Sequence, residues 1–203
     1  MERGLFVVFE GIDGSGKSTQ ARRAAERFDA HFTFEPGDTL LGVDLRRWVL
    51  DASTPMSPVT EALLMLSDRS HHVRTVIEPV LERGRSVVSD RYFASTLAYQ
   101  GYGRGVDLAR LRAATEMAID ACIPDLTVLI DMPFDLSSER RTPDTRDRFE
   151  SADVEFHSRV RDGYLAIAAT WGEAWFVVDG SASEEDVAVV IEQRLAGLAW
   201  SRG

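Results

Sequence analysis

Five short apolar runs punctuate the chain: LFVVFE (5–10), HFTFE (31–35), SVVSD (86–90), LTVLID (126–131) and AWFVVD (174–179). None alternates strictly between apolar and polar positions. Each therefore reads as a strand buried on both faces. Helical stretches separate them, and strands that alternate with helices predict a parallel sheet covered on both sides. The runs close on acids: Glu10, Glu35, Asp90, Asp131 and Asp179. In open α/β folds ligands bind beyond the carboxyl ends of the strands. These acids are either ligand-facing or simply the first wetted residues.

The longest helical stretch covers 57–83, with Pro79 predicted to kink it. Ala62, Leu66, Val73, Val76 and Val80 recur at helical spacing. Arg69 falls in the same series. A charge on an inward stripe is costly unless it is paired or faces a wet cleft. Two readings fit: Arg69 looks into a ligand site, or it sits at the stripe's edge, paired with Asp68 or snorkelling to water.

At 203 residues and 44% hydrophobic content the chain is expected to form one domain, 1–203, with a sizeable core. Its formal net charge of −10 argues against general binding to nucleic acid or anionic membrane. A local arginine cluster can still hold a small anion. The single cysteine, Cys122, permits no intramolecular disulfide and fits a reducing compartment. It is expected as a small buried residue rather than a nucleophile. No apolar run approaches the roughly 20 residues that span a bilayer. The first residues lack a signal-peptide pattern. The expectation is a cytoplasmic protein.

The chemistry begins at "GIDGSGKS". Gly11, Ile12, Asp13, Gly14, Ser15, Gly16, Lys17 and Ser18 fit the phosphate-loop pattern G-x-x-x-x-G-K-[ST]. The motif follows an apolar strand and opens a helical stretch, as it must. Its glycines let backbone N–H groups turn towards phosphate oxygens, and the helix start adds partial positive charge. Ser18 offers a hydroxyl to Mg²⁺. Lys17 reaches the β- and γ-phosphates, and it is the only lysine in the chain. Guanine-specific GTPases need a second lysine in N-K-x-D, so that class is excluded.

The next informative stretch is "SVVSDRYFASTLAYQGYGRG", 86–105. Asp90 closes a buried strand where phosphate-loop proteins place a carboxylate near the metal or its waters. Arg91 follows at the strand mouth and suits a forked grip on phosphate. Tyr92, Tyr99 and Tyr102 add aromatic faces; Ser95, Thr96 and Gln100 add hydrogen-bonding groups. Two readings fit again: a base-reading pocket, or a Tyr/Gly-rich surface turn.

With "EPGDT" (35–39), "LSDRSHH" (66–72), "PDLTVLID" (124–131) and "DRFE" (147–150), these motifs occur in the order seen in bacterial thymidylate kinases. The chain resembles that family over nearly its whole length. The D-R-Y…S-x-x-A-Y-Q-G segment is the most specific part. The resemblance implies a phosphate-loop NTPase fold with a five-stranded parallel sheet and a short lid. It implies transfer of the ATP γ-phosphate to dTMP, with Mg²⁺, by a homodimer packed through helices. ATP would lie along Gly11–Thr19. Arg69 would contact the thymine edge and Arg91 the dTMP phosphate. Ser95, Thr96 and Gln100 would surround the base, and Tyr99 would sit under the deoxyribose. Asp13 would lie between the sugar and phosphate sites, near the metal, and Glu150 would approach from the lid. The resemblance also places the loop 177–183 near adenine. Two positions depart from the pattern. Phe34 stands where many bacterial members have arginine, and Met65 where many have a thymine-stacking phenylalanine. Both bear on the strictness of thymine selection.

The segment 138–150, "SERRTPDTRDRFE", carries Arg140, Arg141, Arg146 and Arg148. By itself it reads as a solvated loop. In a phosphate-loop kinase it is the lid that brings arginines onto the transferring phosphoryl group, and this phosphate loop has no arginine of its own. Arg141 and Arg146 are the first candidates. A monophosphate acceptor has a second pKa near ~6, so its attacking oxygen is ionised at neutral pH. No general base is needed, and the four histidines are expected to be structural or surface residues. Two other readings stay open. One is a kinase for another deoxynucleotide or nucleoside. The other is an ATP-binding module without turnover, against which Asp90, Arg91 and the arginine-rich lid count.

Overall fold

A computed structural model describes residues 2–140, 148–149 and 152–200. All five apolar runs are strands within a residue of their expected bounds: β1 (Phe6–Glu10), β2 (His31–Phe34), β3 (Val87–Asp90), β4 (Leu126–Asp131) and β5 (Trp175–Asp179). They form one parallel sheet in the order β2-β3-β1-β4-β5. β1 is central and completely buried. The strand order reverses on either side of it, so the loop after β1 opens at the switch point where such sheets bind ligands.

Successive strand residues point to opposite faces. Val7 and Phe9 face a core completed by α1 (Lys17–Arg27) and α9 (Glu184–Ala196). Phe6 and Val8 face the larger core. That core is built by α3 (Pro58–His72), α5 (Phe93–Thr96), α6 (Leu108–Ile119) and α8 (Val154–Trp171). Further helices are α2 (Leu40–Leu50), α4 (Glu78–Glu82) and α7 (Phe134–Glu139). Starts are capped as the sequence allows: Thr39 accepts from Gly42 N at 2.9 Å, and Ser57 from Thr60 N at 3.1 Å with Pro58 following.

The long helix of 57–83 breaks earlier than expected. Val73–Ile77 forms a π turn ahead of Pro79. Proline has no N–H for the carbonyl of Thr75, and the Glu78 N–H bonds back to Val73 O, five residues away. A second π turn, Leu97–Gly103, continues α5 and packs on α8. There Gly163 is required by contact. A Cβ on it would lie 2.7 Å from the Tyr102 ring.

Candidate active site

The loop between β1 and α1 turns through left-handed backbone that glycine supplies: Gly14 has φ 84° and Gly16 φ 86°. Gly11 also lacks room, since a Cβ there would stand 2.7 Å from Ile130 O. The first N–H groups of α1 have no carbonyl one turn back and are free for an anion. Gly14–Gln20 line a cleft of about 820 Å³, closed by Arg140, Gly180, Ala182, Glu184 and Val187. The loop expected near adenine contributes Gly180 and Ala182. Arg140 Nη1 donates to Gly180 O at 3.3 Å. Lys17 lies in the cleft with Nζ 3.4 Å from Asp13 Oδ1. Burial and the nearby Arg91 push its ammonium below the usual lysine range, against Asp13 and Asp90.

Asp13 lines a second cleft of about 460 Å³. Glu35, Pro36, Arg46, Leu50, Met65, Arg91, Ser95, Tyr99, Gln100 and Phe149 complete it. Arg91 follows β3 with φ 74°, a left-handed conformation that costs a non-glycine residue roughly 1–3 kcal/mol. Its N–H bonds Phe9 O at 2.9 Å. Nη2 pairs with Asp13 and lies 3.2 Å from Tyr99 Oη. Nη1 donates to Gly11 O, Ser95 Oγ and Tyr164 Oη at 3.0–3.2 Å. Burial opposes the Arg91 charge, but Asp13, Tyr99, Tyr164 and Asp90 together hold it firmly protonated. Tyr99 donates to Asp13 Oδ2 at 2.8 Å, and burial pushes its phenol well up. At the far end Gln100 Nε2 donates to Glu61 at 3.0 Å. Gln100 Oε1 is buried with no partner among the described residues. An acceptor held in that state calls for a donor from a ligand.

The expected site residues divide. Asp13, Arg91, Ser95, Tyr99 and Gln100 converge on the second cleft, and Met65 lines it in the place of the expected phenylalanine. Arg69 and Thr96 stand one layer behind. Arg69 donates from Nε to Glu35 at 2.7 Å, from Nη1 to Thr96 Oγ1 at 2.6 Å and from Nη2 to Tyr92 O at 2.9 Å. Its partner is thus Glu35, not Asp68. Of the three tyrosines only Tyr99 lines the cleft. Tyr92 is core, its ring edge-on to Phe6 and its hydroxyl on Cys122 O at 2.9 Å. Tyr102 packs on α8. Arg141, Arg146 and Glu150 lie outside the described residues. Arg148 is described and serves structure: it donates to the carbonyls of Val49, Asp51 and Thr54. His72 is buried between Thr33 and Glu35, and His157 is buried against Phe134. Neither is in either cleft.

Several lining or supporting residues were not anticipated. Arg46 enters from α2, fixed by Pro36 O at 2.7 Å. Phe149 stands edge-on to Tyr99 with centroids 5.5 Å apart. Glu10 and Tyr164 lie under Arg91. The inward acid ending β1 was a signal for Glu10; nothing local in sequence marked Tyr164.

Mg²⁺ was expected on Ser18 and Asp90. Ser18 is exposed on the first turn of α1. Asp90 Oδ1 is buried without a hydrogen-bond partner among the described residues, and register pairs Asp90 with Phe9 beside the phosphate loop. An uncommitted carboxylate oxygen beside a phosphate cradle fits a hard cation or its waters.

Two clefts whose cations, Lys17 and Arg91, both pair with Asp13, one cleft being built on a phosphate loop, suit transfer of phosphate between two bound nucleotides. Fold and site together define the class of P-loop nucleoside monophosphate kinases. The thymidylate kinase family model matches residues 9–191. A thymidylate kinase from Carboxydothermus hydrogenoformans is 46% identical over 97% of this chain and 98% of its own. One from Leifsonia xyli is 43% identical, covering 96% and 95% respectively. A crystal structure of thymidylate kinase from Ehrlichia chaffeensis superposes with TM-score 0.77 at 31% identity, over 94% of this chain and 98% of that one. The chain belongs to the thymidylate kinase family.

Proposed function

We propose that this protein phosphorylates dTMP to dTDP with Mg-ATP, as a single kinase domain in which 138–150 form the lid. The observation that carries the reading is the cleft opposite the phosphate loop. It offers a forked cation, Arg91, at one end and the uncommitted Gln100 Oε1 at the other, with Tyr99 between them. A nucleoside monophosphate presents a dianion, a sugar and a base edge in that order. Thymine carries a ring N–H that Gln100 Oε1 can accept, and Met65 packs on the ring.

Phosphoryl transfer asks for positioning and charge stabilisation. Gly11–Thr19 hold the donor phosphates, and Lys17 sets a compact cation between β and γ. Arg91 aims the acceptor oxygen, already ionised, at the γ-phosphorus. Asp13 ties Arg91 to Lys17, so that acceptor and donor anchors move together. Bound Mg²⁺ neutralises charge on the donor phosphates, and Ser18 and Asp90 would hold it or its waters. Arg141 and Arg146 supply the lid's positive charge. No side chain has to remove a proton. The lone buried cysteine fits a reducing, cytoplasmic setting, and an apolar helical face described below fits a homodimer.

A panel of nucleoside monophosphates with Mg-ATP, followed by ADP release, tests the reading. dTMP is expected among the best acceptors. Preference for another acceptor overturns the assignment to dTMP. ATP binding without acceptor-dependent ADP release overturns the kinase.

A further inference from the structure

Glu10 ends β1 with no exposure at all, and neither cleft includes it. A carboxylate taken out of water survives only if its lone pairs are met. Here they are met from one direction on each oxygen. Oε1 receives the backbone N–H groups of Tyr92 and Ser95 at 3.0 and 3.1 Å. Oε2 receives the hydroxyls of Ser95 at 2.6 Å and Tyr164 at 3.0 Å. Those same hydroxyl oxygens face Arg91 Nη1 at 3.0 and 3.1 Å.

We infer that Glu10 is a positioning residue for the acceptor phosphate: it turns the Ser95 and Tyr164 hydroxyls into acceptors and so fixes the Arg91 guanidinium. The inference rests on the reading of Arg91 as the dTMP-phosphate anchor. Its logic is proton bookkeeping. A hydroxyl has one hydrogen and an ionised carboxylate has none; burial pushes the Glu10 carboxyl above its usual range, while Arg91, Ser95, the Tyr92 N–H and Tyr164 all favour its ionised form. Ser95 Oγ and Tyr164 Oη lie 2.8 Å from each other, but the carboxylate draws both hydrogens to Oε2, which leaves lone pairs of both hydroxyls for Nη1. An arginine can only donate, so it is held by an array that can only accept on that side. Gly11 O completes the array at 3.2 Å. Nη2, through Asp13 and Tyr99, faces the cleft. The fork is therefore aimed before substrate arrives. The left-handed backbone at Arg91 is anchored by the same carboxylate, which binds the next residue's N–H.

Glu10→Gln tests this with almost no change of shape. The two backbone N–H groups at Oε1 cannot reverse, so the amide oxygen must occupy that side. The amide NH₂ then faces the two hydroxyls and needs them as acceptors. Their hydrogens turn away from it, towards each other and towards Nη1, and the guanidinium loses its seat.

The measurements are Kd for dTMP and for thymidine, KM for ATP, and kcat, all on the full chain. For Glu10→Gln the expected result is at least a tenfold rise in Kd for dTMP. Kd for thymidine, which has no phosphate, and KM for ATP stay within about twofold, and kcat falls. Tyr164→Phe removes one hydroxyl and should cost dTMP binding severalfold. In the Glu10→Gln background it should cost little more, because both changes act on one array. If Glu10 only supports the fold, thymidine and dTMP affinities fall together, or neither falls, and the inference is overturned. Should Glu10→Gln not fold, Tyr164→Phe carries the same comparison of dTMP with thymidine. The wild-type control separates the two readings. Absence of dTMP turnover there overturns the proposed function and this inference with it. Normal turnover with unchanged dTMP selectivity in the variants overturns this inference alone.

Discussion

Lys17 and Arg91 are cations on either side of one carboxylate, and their surroundings act on them differently. Arg91 is fixed by accepting groups on every side, whereas Lys17 is buried with its ammonium depressed and Asp13 3.4 Å away. An incoming triphosphate is the charge that Lys17 lacks. Lys17→Met is expected to lower kcat by at least about a hundredfold (losing about 3 kcal/mol of transition-state stabilisation) while dTMP affinity changes little. Single-turnover kinetics and dTMP titration check it; a comparable loss of dTMP affinity moves Lys17 to the acceptor side. Tyr99 closes the sugar position, with its hydroxyl held by Asp13 and Arg91. Tyr99→Ala should narrow the preference for deoxyribonucleotide over ribonucleotide severalfold in kcat/KM. Unchanged selectivity removes that role. Asp68 shows the cost of a buried charge that has too few partners. Burial, then Glu35, pushes its carboxyl from 3.8 to about 6, despite His72 and Arg69. Because the folded state holds the proton more tightly, its contribution is full below about 3.8 and is lost as pH rises through about 6. The shift corresponds to about 3 kcal/mol. Asp68→Asn should therefore gain up to that amount at pH 8 and almost nothing at pH 4, read from urea unfolding of variant and wild type. Residues whose chemistry is local were legible in the sequence: the glycine loop, Lys17, Asp90 and Arg91. Glu10 was visible only as a strand-end acid, and Tyr164 not at all, because its hydrogen-bond partners lie 69 or more residues away in sequence.

The elements divide in the same way. A strand buried on both faces must be an unbroken apolar run, and β1, β3 and β4 are such strands; β2 and β5 lie at the sheet's edges and are only partly buried, contrary to that expectation, yet their apolar runs still marked them as strands. The two π turns were not, because the 3.6-residue stripe assumes a regular helix. The stripe from Ala62 to Val80 thus continued through a break at Val73–Ile77. It also could not separate a tyrosine of the core, Tyr92, from one of the cleft, Tyr99, since both are inward. Tyr92 precedes α5, whereas Tyr99 and Gln100 lie within the second π turn, which has an extra residue per turn. α8 clamps that turn through Gly163, where a Cβ would lie 2.7–2.8 Å from Tyr102 Cβ and Cγ. Those atoms sit at the root of the side chain, so ring rotation does not relieve the contact. Gly163→Ala should cost about 1–3 kcal/mol by overpacking and raise KM for dTMP more than KM for ATP. Thermal unfolding and the two KM values check it. A stable variant with unaltered KM would show that α8 does not set the turn.

At the scale of the whole molecule, the apolar surface is unevenly placed. Met117 on α6 is 80% exposed and Leu63 on α3 55%. Together with Leu66, Ala114 and Ala118 they line an open groove between the two helices. α2 packs beside α3 and exposes Leu40, Val43 and Trp48. Scattered exposed apolar residues need no explanation, but apolar residues exposed on three adjoining helices are the kind of surface a partner covers. A second copy is the simplest one, since a two-fold interface sets the same face against itself. α3 gives this face a catalytic consequence. Its outward side carries Leu63, while its inward side carries Met65 in the cleft and Arg69 behind it. A second copy covering the outer side would hold the inner side in place. Sedimentation should find the wild type dimeric at micromolar concentration. Leu63→Glu combined with Met117→Glu should shift it to monomer, because the charges would be buried in an apolar interface. The monomer should keep its KM for ATP, whose loop lies on α1, and show a raised KM for dTMP. A monomeric wild type removes the homodimer, and a monomeric variant with both KM values intact separates assembly from the site.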